Sequence, residues 1–134
     1  MNERNCLKFG YFKEFFDPSF IFYGNRDSLG ALQDVLQSLP LKKHIILSND
    51  PKFSSVFNER LCLCLTLVPE GLHYLGNEFF EWRLSVNQIE QFAKLITELI
   101  KSPLPGHHYL EVGAASEIVV IVSKDEYPEN WLPK

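Results

Sequence analysis

The sequence is poor in the features that mark several large classes of protein. It has three cysteines, an odd number that does not fit a framework of paired disulfides. It has no apolar run near the roughly 18 residues that span a bilayer, and residues 1–13 lack the apolar stretch of a signal peptide. We therefore expect a cytoplasmic protein with free thiols and no membrane segment.

Basic charge is also scarce. The chain carries 13 Lys and Arg residues against 17 Asp and Glu residues, and the net charge of −4 has the wrong sign for a surface that binds nucleic-acid phosphates. Apolar residues make up 46% and charged residues 22% of the chain, which excludes disordered and collagen-like proteins. We expect no nucleic-acid partner and a single domain over residues 1–134.

Two segments have the apolar periodicity of amphipathic helices. The first is predicted over residues 26–39, with Asn25 as its N-cap and Pro40 as its terminator. The second is predicted over residues 86–101, and Ser85 with a glutamine three residues later forms a capping-box pattern. The residues expected to be buried from these stripes are Leu29, Leu36, Phe92, Leu95 and Leu99.

The remaining regular segments predict strands, because they are β-branched, aromatic or alternate in polarity. Gly76-Asn77 and residues 113–116 are predicted to form hairpin turns. Since most connections are short, we expect an α+β fold with a mainly antiparallel sheet of about seven or eight strands and both helices on one face. The predicted strands are residues 7–12, 19–24, 44–47, 60–68, 72–75, 78–84, 107–112 and 117–123.

A shift of 60 residues superimposes the two predicted strand-helix units, placing Phe20 on Phe80, Phe22 on Trp82 and Asn25 on Ser85. The match indicates an internal ββαββ duplication, with repeats over about residues 7–68 and 72–123. The alternative is that any two amphipathic helices aligned in phase match apolar residues with apolar residues.

The strands predicted over residues 60–68 and 118–122 are apolar on both faces, which is typical of strands buried on both sides. Two helices, each about 10 Å wide, cover only about four strands spaced about 4.8 Å apart. The second face therefore needs a curled sheet, the aromatic segment 7–20 or another subunit as cover. We expect a homodimer, because a two-fold interface needs only one self-complementary patch.

The candidate functional surface is the segment that contains His107, His108, Tyr109 and Glu111. In a strand, His107, Tyr109 and Glu111 share one face and His108 lies on the other, so the two imidazoles cannot bind one ion together. We therefore predict no catalytic, metal-binding or cofactor-binding residues. Because the sequence shows no assembled set of catalytic residues, it favours a non-catalytic protein-binding module.

The alternative is a small enzyme or metal-binding protein that uses His107 or His108 with Glu111, or else the pair Cys62 and Cys64. The two cysteines lie on one face of a predicted strand, but zinc sites usually use a Cys-x-x-Cys spacing. We expect both thiols to be small buried apolar residues.

The run Gly106–Glu111 (GHHYLE), followed by the acidic-aliphatic run EIVV at residues 117–120, resembles small bacterial immunity-type proteins of polymorphic toxin systems. The resemblance covers roughly residues 80–124, where an amphipathic helix leads into a glycine-histidine-histidine strand. The family opens this helix with a Gly-Asp type of turn, whereas Leu84-Ser85 stands here. The resemblance implies stoichiometric binding and inhibition of a toxin, without catalysis.

Overall fold

The computed structural model describes residues 6–14, 17–111 and 118–127, which form nine strands, two α-helices and one short 3-10 helix (Leu47–Asn49). The helices are α1 (Arg26–Lys42) and α2 (Val86–Lys101). The strands are β1 (Leu7–Phe12), β2 (Ser19–Gly24), β3 (His44–Ile46), β4 (Phe53–Ser55), β5 (Arg60–Leu65), β6 (Gly71–Gly76), β7 (Phe79–Leu84), β8 (Gly106–Glu111) and β9 (Val119–Lys124).

The strands form two mixed sheets, a five-stranded one in the order β4-β1-β2-β9-β8 and a four-stranded one in the order β3-β5-β7-β6. The pairs β1/β4, β2/β9 and β5/β7 are parallel, and the other pairs are antiparallel. The α+β class is thus confirmed, but a mainly antiparallel sheet of seven or eight strands is wrong. Short turns make the hairpins antiparallel, whereas the central pairs join strands that are not consecutive in the chain.

The sequence predicted that both helices lie on one face of a single sheet, and this prediction is wrong. Each helix instead carries the chain from one sheet to the other, α1 from β2 to β3 and α2 from β7 to β8. The two helices pack on each other, and α1 also contacts strands of both sheets. Both sheets and both helices therefore enclose one shared core.

Aromatic rings join the two sheets in this core. Phe20 and Phe80 lie 5.1 Å apart, and Phe22 stacks on Trp82 at 5.7 Å between ring centroids. Trp82 also stacks on Phe92 of α2 at 5.9 Å. The predicted helix stripes are confirmed at four positions and nearly so at the fifth: Leu29, Leu36, Phe92 and Leu99 are buried, and Leu95 is partly buried against the core.

The helix starts agree with the sequence prediction, and one helix end differs. Asn25 and Ser85 each form a complete capping box. The first helix was expected to stop before Pro40, but it continues to Lys42. Pro40 removes only one backbone donor so near the end, and the Lys43 N–H closes the last turn on the Leu39 carbonyl at 2.7 Å.

One hairpin turn and one strand end of the four-stranded sheet differ slightly from the prediction. The hairpin between β6 and β7 is confirmed, but its turn is Asn77-Glu78, one residue later than predicted; Gly76, Asn77 and Glu78 have φ values of 92°, 53° and 63°. Strand β5 ends at Leu65, three residues earlier than predicted, and Leu67 beyond it is fully exposed. The other predicted hairpin turn, at residues 113–116, lies outside the described residues.

The two halves of the chain have equivalent pairings. The correspondence pairs the elements β1, β2, α1, β3 and β5 of the first half, in order, with β6, β7, α2, β8 and β9 of the second half. Each sheet combines the hairpin of one half with the last strands of the other half. The internal duplication stays a prediction about how this arrangement arose. The backbone hydrogen bonds at the ends of the two central parallel pairs also match. At one end, Val119 N–H donates to Pro18 O and Arg60 N–H donates to Glu78 O. At the other end, Asp125 N–H donates to Gly24 O and Thr66 N–H donates to Leu84 O.

Candidate functional site

The site lies on the outer face of the five-stranded sheet, which the chain itself partly covers. Phe12, Ile21 and Tyr23 form a small second cluster on this face, with Val56, Ile121 and Tyr127 packed against it. The cover thus comes from residues that follow β4 and β9. The described part of the aromatic segment 7–20 does not fold across this face, because residues 7–12 and 19–20 are strands of the sheet.

A groove of about 510 Å³ opens beside this cluster, next to β8. Strand β8 is an edge strand of the five-stranded sheet. The lining comes from β8, from β9 and the residues that follow it, and from the start of β2 with the residues before it. The lining residues are Asp17, Ser19, His107, Tyr109, Val119, Ile121, Glu126 and Tyr127.

The structure brings His107 and Tyr109 together and separates Glu111 from them. The rings of His107 and Tyr109 lie 5.7 Å apart on the groove side. Tyr109 pairs with Ile121, but Glu111 pairs with the next residue, Val120, so the strand contains a bulge at this point. The prediction that Glu111 shares the face of His107 is wrong, because the bulge turns the carboxyl side chain into the core.

His108 points away from the groove, as strand geometry predicts. It pairs with Val122, a fully buried residue on the core side of β9, and its own side chain is half-buried at the sheet edge. The two imidazoles of His107 and His108 therefore lie on opposite faces of β8, and they share no ligand position.

Glu111 has a structural place in the core. Its carboxylate accepts hydrogen bonds from Trp82 Nε1 at 3.0 Å and from Gln88 Nε2 at 3.2 Å. Burial raises the pKa of the Glu111 carboxyl, and the two donated bonds offset part of that rise. The carboxyl thereby links the core indole to the N-terminal turn of α2.

The carboxylate partner of His107 is Glu126, which the sequence analysis did not identify. His107 Nδ1 lies 3.0 Å from a Glu126 carboxylate oxygen, and Ser123 Oγ donates to the same carboxylate. The serine bonds to the acid rather than to the imidazole, so the three residues do not form a nucleophile-base pair. Glu126 follows β9 by two residues, and no local sequence pattern marks it.

Tyr127 also lines the groove. Its ring packs edge-on against Tyr23 at 5.5 Å, which holds it against the sheet. Burial raises the pKa of the Tyr127 hydroxyl, with further contributions from Glu126 and Tyr109. The phenol is thus neutral at physiological pH and presents an aromatic surface beside the acid.

The cysteine pair lies elsewhere, on the outer face of the four-stranded sheet. The Sγ atoms of Cys62 and Cys64 are 3.7 Å apart, with Cys64 buried and Cys62 half-buried. Burial, followed by the neighbouring Cys62 thiol, raises the pKa of Cys64 to about 12, which keeps this thiol protonated. Across residues 6–14, 17–111 and 118–127, no three His, Cys, Asp or Glu side chains are grouped to hold a metal ion.

Neither helix among the described residues is long and apolar enough to cross a bilayer. The candidate site is the groove on the outer face of the five-stranded sheet, with His107 and Tyr109 on the edge strand β8 and Glu126 and Tyr127 in the residues that follow β9. No family model matches the chain, and no curated protein matches it significantly.

Proposed function

We propose that the protein is a non-catalytic protein-binding module and that the groove beside β8 is its binding surface. The observation that carries the proposal is the position of Tyr109, which is 53% exposed on an edge strand beside the groove. Tyrosine is enriched among the residues that dominate binding energy, because its ring buries a large area and its hydroxyl remains able to hydrogen-bond.

The surroundings of Tyr109 support an interface. Val119 and Ile121 supply apolar lining, and the exposed residues Asp17 and Glu126 supply polar groups around it. An apolar centre within a polar rim is the usual composition of a protein-protein interface. Strand β8 also has a partner strand on one side only among the described residues, so a bound chain can approach its other edge.

We extend the proposal to stoichiometric inhibition of a toxin. This step is supported by the resemblance of Gly106–Glu111 and the strand after it to immunity-type proteins, since these residues form β8 and β9 beside the groove. Inhibition by binding requires only a rigid surface of matching shape and charge.

Affinity capture with a matched pair of variants tests the proposal. Tyr109→Ala removes the groove tyrosine that lies on β8, and Tyr74→Ala removes a tyrosine of similar exposure, 52%, on the edge strand β6 of the other sheet. We expect the wild type and Tyr74→Ala to capture the same protein from the native host and Tyr109→Ala to lose it. With the purified partner, calorimetry is expected to give a 1:1 complex that Tyr109→Ala weakens by roughly 30-fold.

Two outcomes contradict the proposal. Equal capture by Tyr109→Ala and the wild type, at matched circular dichroism, would place any interface away from the groove. Stoichiometric zinc in the purified protein, lost on His107→Ala, would instead support the metal-binding alternative.

A further inference from the structure

We propose that the groove accepts an arginine side chain of the partner protein. The inference rests on the proposed function, because it names the chemistry that the partner presents to the same surface. It follows from the charge, the aromatic sides and the fixed geometry of the groove.

The charge of the groove favours a cation. Its described lining contains two carboxylates, Asp17 and Glu126, and no lysine or arginine; its one histidine, His107, contacts Glu126 and leaves Asp17 without a basic neighbour in the lining. Asp17 is exposed at the rim, where a partner can reach it. The net charge of −4 on the whole chain adds a long-range attraction for a basic surface.

The Glu126 carboxylate is held in position before any partner binds. Ser123 Oγ and His107 Nδ1 both contact it, and its side chain is only 29% exposed. An acceptor that is already ordered and partly desolvated loses less entropy on binding than a free surface carboxylate. Its interaction with a cation is also less screened by solvent.

The aromatic sides select a guanidinium over an ammonium. Tyr109 and Tyr127 both line the groove, together with the apolar residues Val119 and Ile121. A planar guanidinium stacks on aromatic faces and also bonds carboxylates in a bidentate manner, whereas an ammonium is a compact, strongly hydrated point charge. Arginine is therefore the cationic side chain that uses both the rings and the acids of this groove.

Titration of the isotope-labelled full chain by NMR with blocked single amino acids tests the inference. N-acetyl-arginine amide is expected to shift amide resonances of β8 and β9 around residues 107–109 and 119–121. Blocked citrulline, its neutral counterpart, is expected to leave them in place, and blocked lysine is expected to bind at least threefold more weakly. Equal shifts with citrulline or equal affinity for lysine would overturn the inference.

Charge-neutralising variants complete the test. Asp17→Asn and Glu126→Gln are each expected to weaken arginine binding at least threefold, and Asp34→Asn, which neutralises an exposed acid on α1, is expected to leave it unchanged. If a partner captured through Tyr109 binds both groove variants as tightly as wild type, the arginine inference fails and the proposed function stands. If no partner depends on Tyr109, the proposed function itself fails.

Discussion

At the scale of single residues, Glu111 shows how a buried carboxyl can link elements without taking part in a binding site. The side chain is 8% exposed, and its two donors come from β7 and α2. A carboxyl whose pKa is raised in the folded state binds more protons folded than unfolded, at pH values between the ordinary and the raised pKa. The free energy of unfolding therefore falls as pH rises through that interval.

This sign gives a testable pH dependence. Glu111→Gln keeps an oxygen acceptor for the Trp82 indole and removes the titration. We expect the unfolding free energy of wild type, measured relative to Glu111→Gln, to be highest near pH 4 and to fall as pH rises above the ordinary value of 4.5. Urea denaturation at a series of pH values measures the difference, and a difference that rises with pH would contradict the burial of this carboxyl.

At the scale of elements, α2 is held to the sheets mainly by one apolar stripe. Phe92 is 5% exposed and stacks on Trp82. Truncating a buried phenylalanine leaves a cavity that the neighbouring rings cannot fill, so Phe92→Ala is expected to cost about 3–5 kcal/mol of unfolding free energy. Thermal denaturation measures the loss.

A control on the same helix separates this packing effect from helix propensity. Lys94 lies on the exposed face of α2, and Lys94→Ala is expected to change stability by less than about 0.5 kcal/mol. An unchanged Tm for Phe92→Ala would mean that the stripe is not the buried face.

In the whole molecule, the outer faces of the two sheets differ in how many apolar side chains they leave exposed. The chain partly covers the outer face of the five-stranded sheet with residues such as Val56 and Tyr127. Next to the outer face of the four-stranded sheet, Ile46 and Leu75 remain half exposed and Leu67 is fully exposed. The homodimer stays a prediction. We expect a second copy to pack on these exposed apolar residues beside the four-stranded sheet.

Light scattering tests that prediction at micromolar concentration. A mass near twice 15.5 kDa is expected for wild type, and Ile46→Asp is expected to return the mass to 15.5 kDa. A wild-type mass of one chain would refute the homodimer and would leave the groove of the other sheet unaffected.

The local features of this protein follow from short stretches of sequence. The helix stripes, the caps at Asn25 and Ser85 and, to within one residue, the hairpin turn after β6 were predictable, because each depends on residues close together in the chain. The position of His107 and Tyr109 on one strand face followed from the same short-range geometry.

How these parts combine depends on contacts between segments that are separate in the chain. The division into two mixed sheets depends on the parallel pair β2/β9, which joins the two ends of the chain, and on the parallel pair β5/β7, which skips the intervening strand β6. The bulge turns Glu111 inward, where its carboxylate accepts a hydrogen bond from Trp82, 29 residues away in sequence. His107 contacts Glu126, which is 19 residues away in sequence. Such contacts depend on how the whole core packs, so no periodicity or spacing within one segment can encode them.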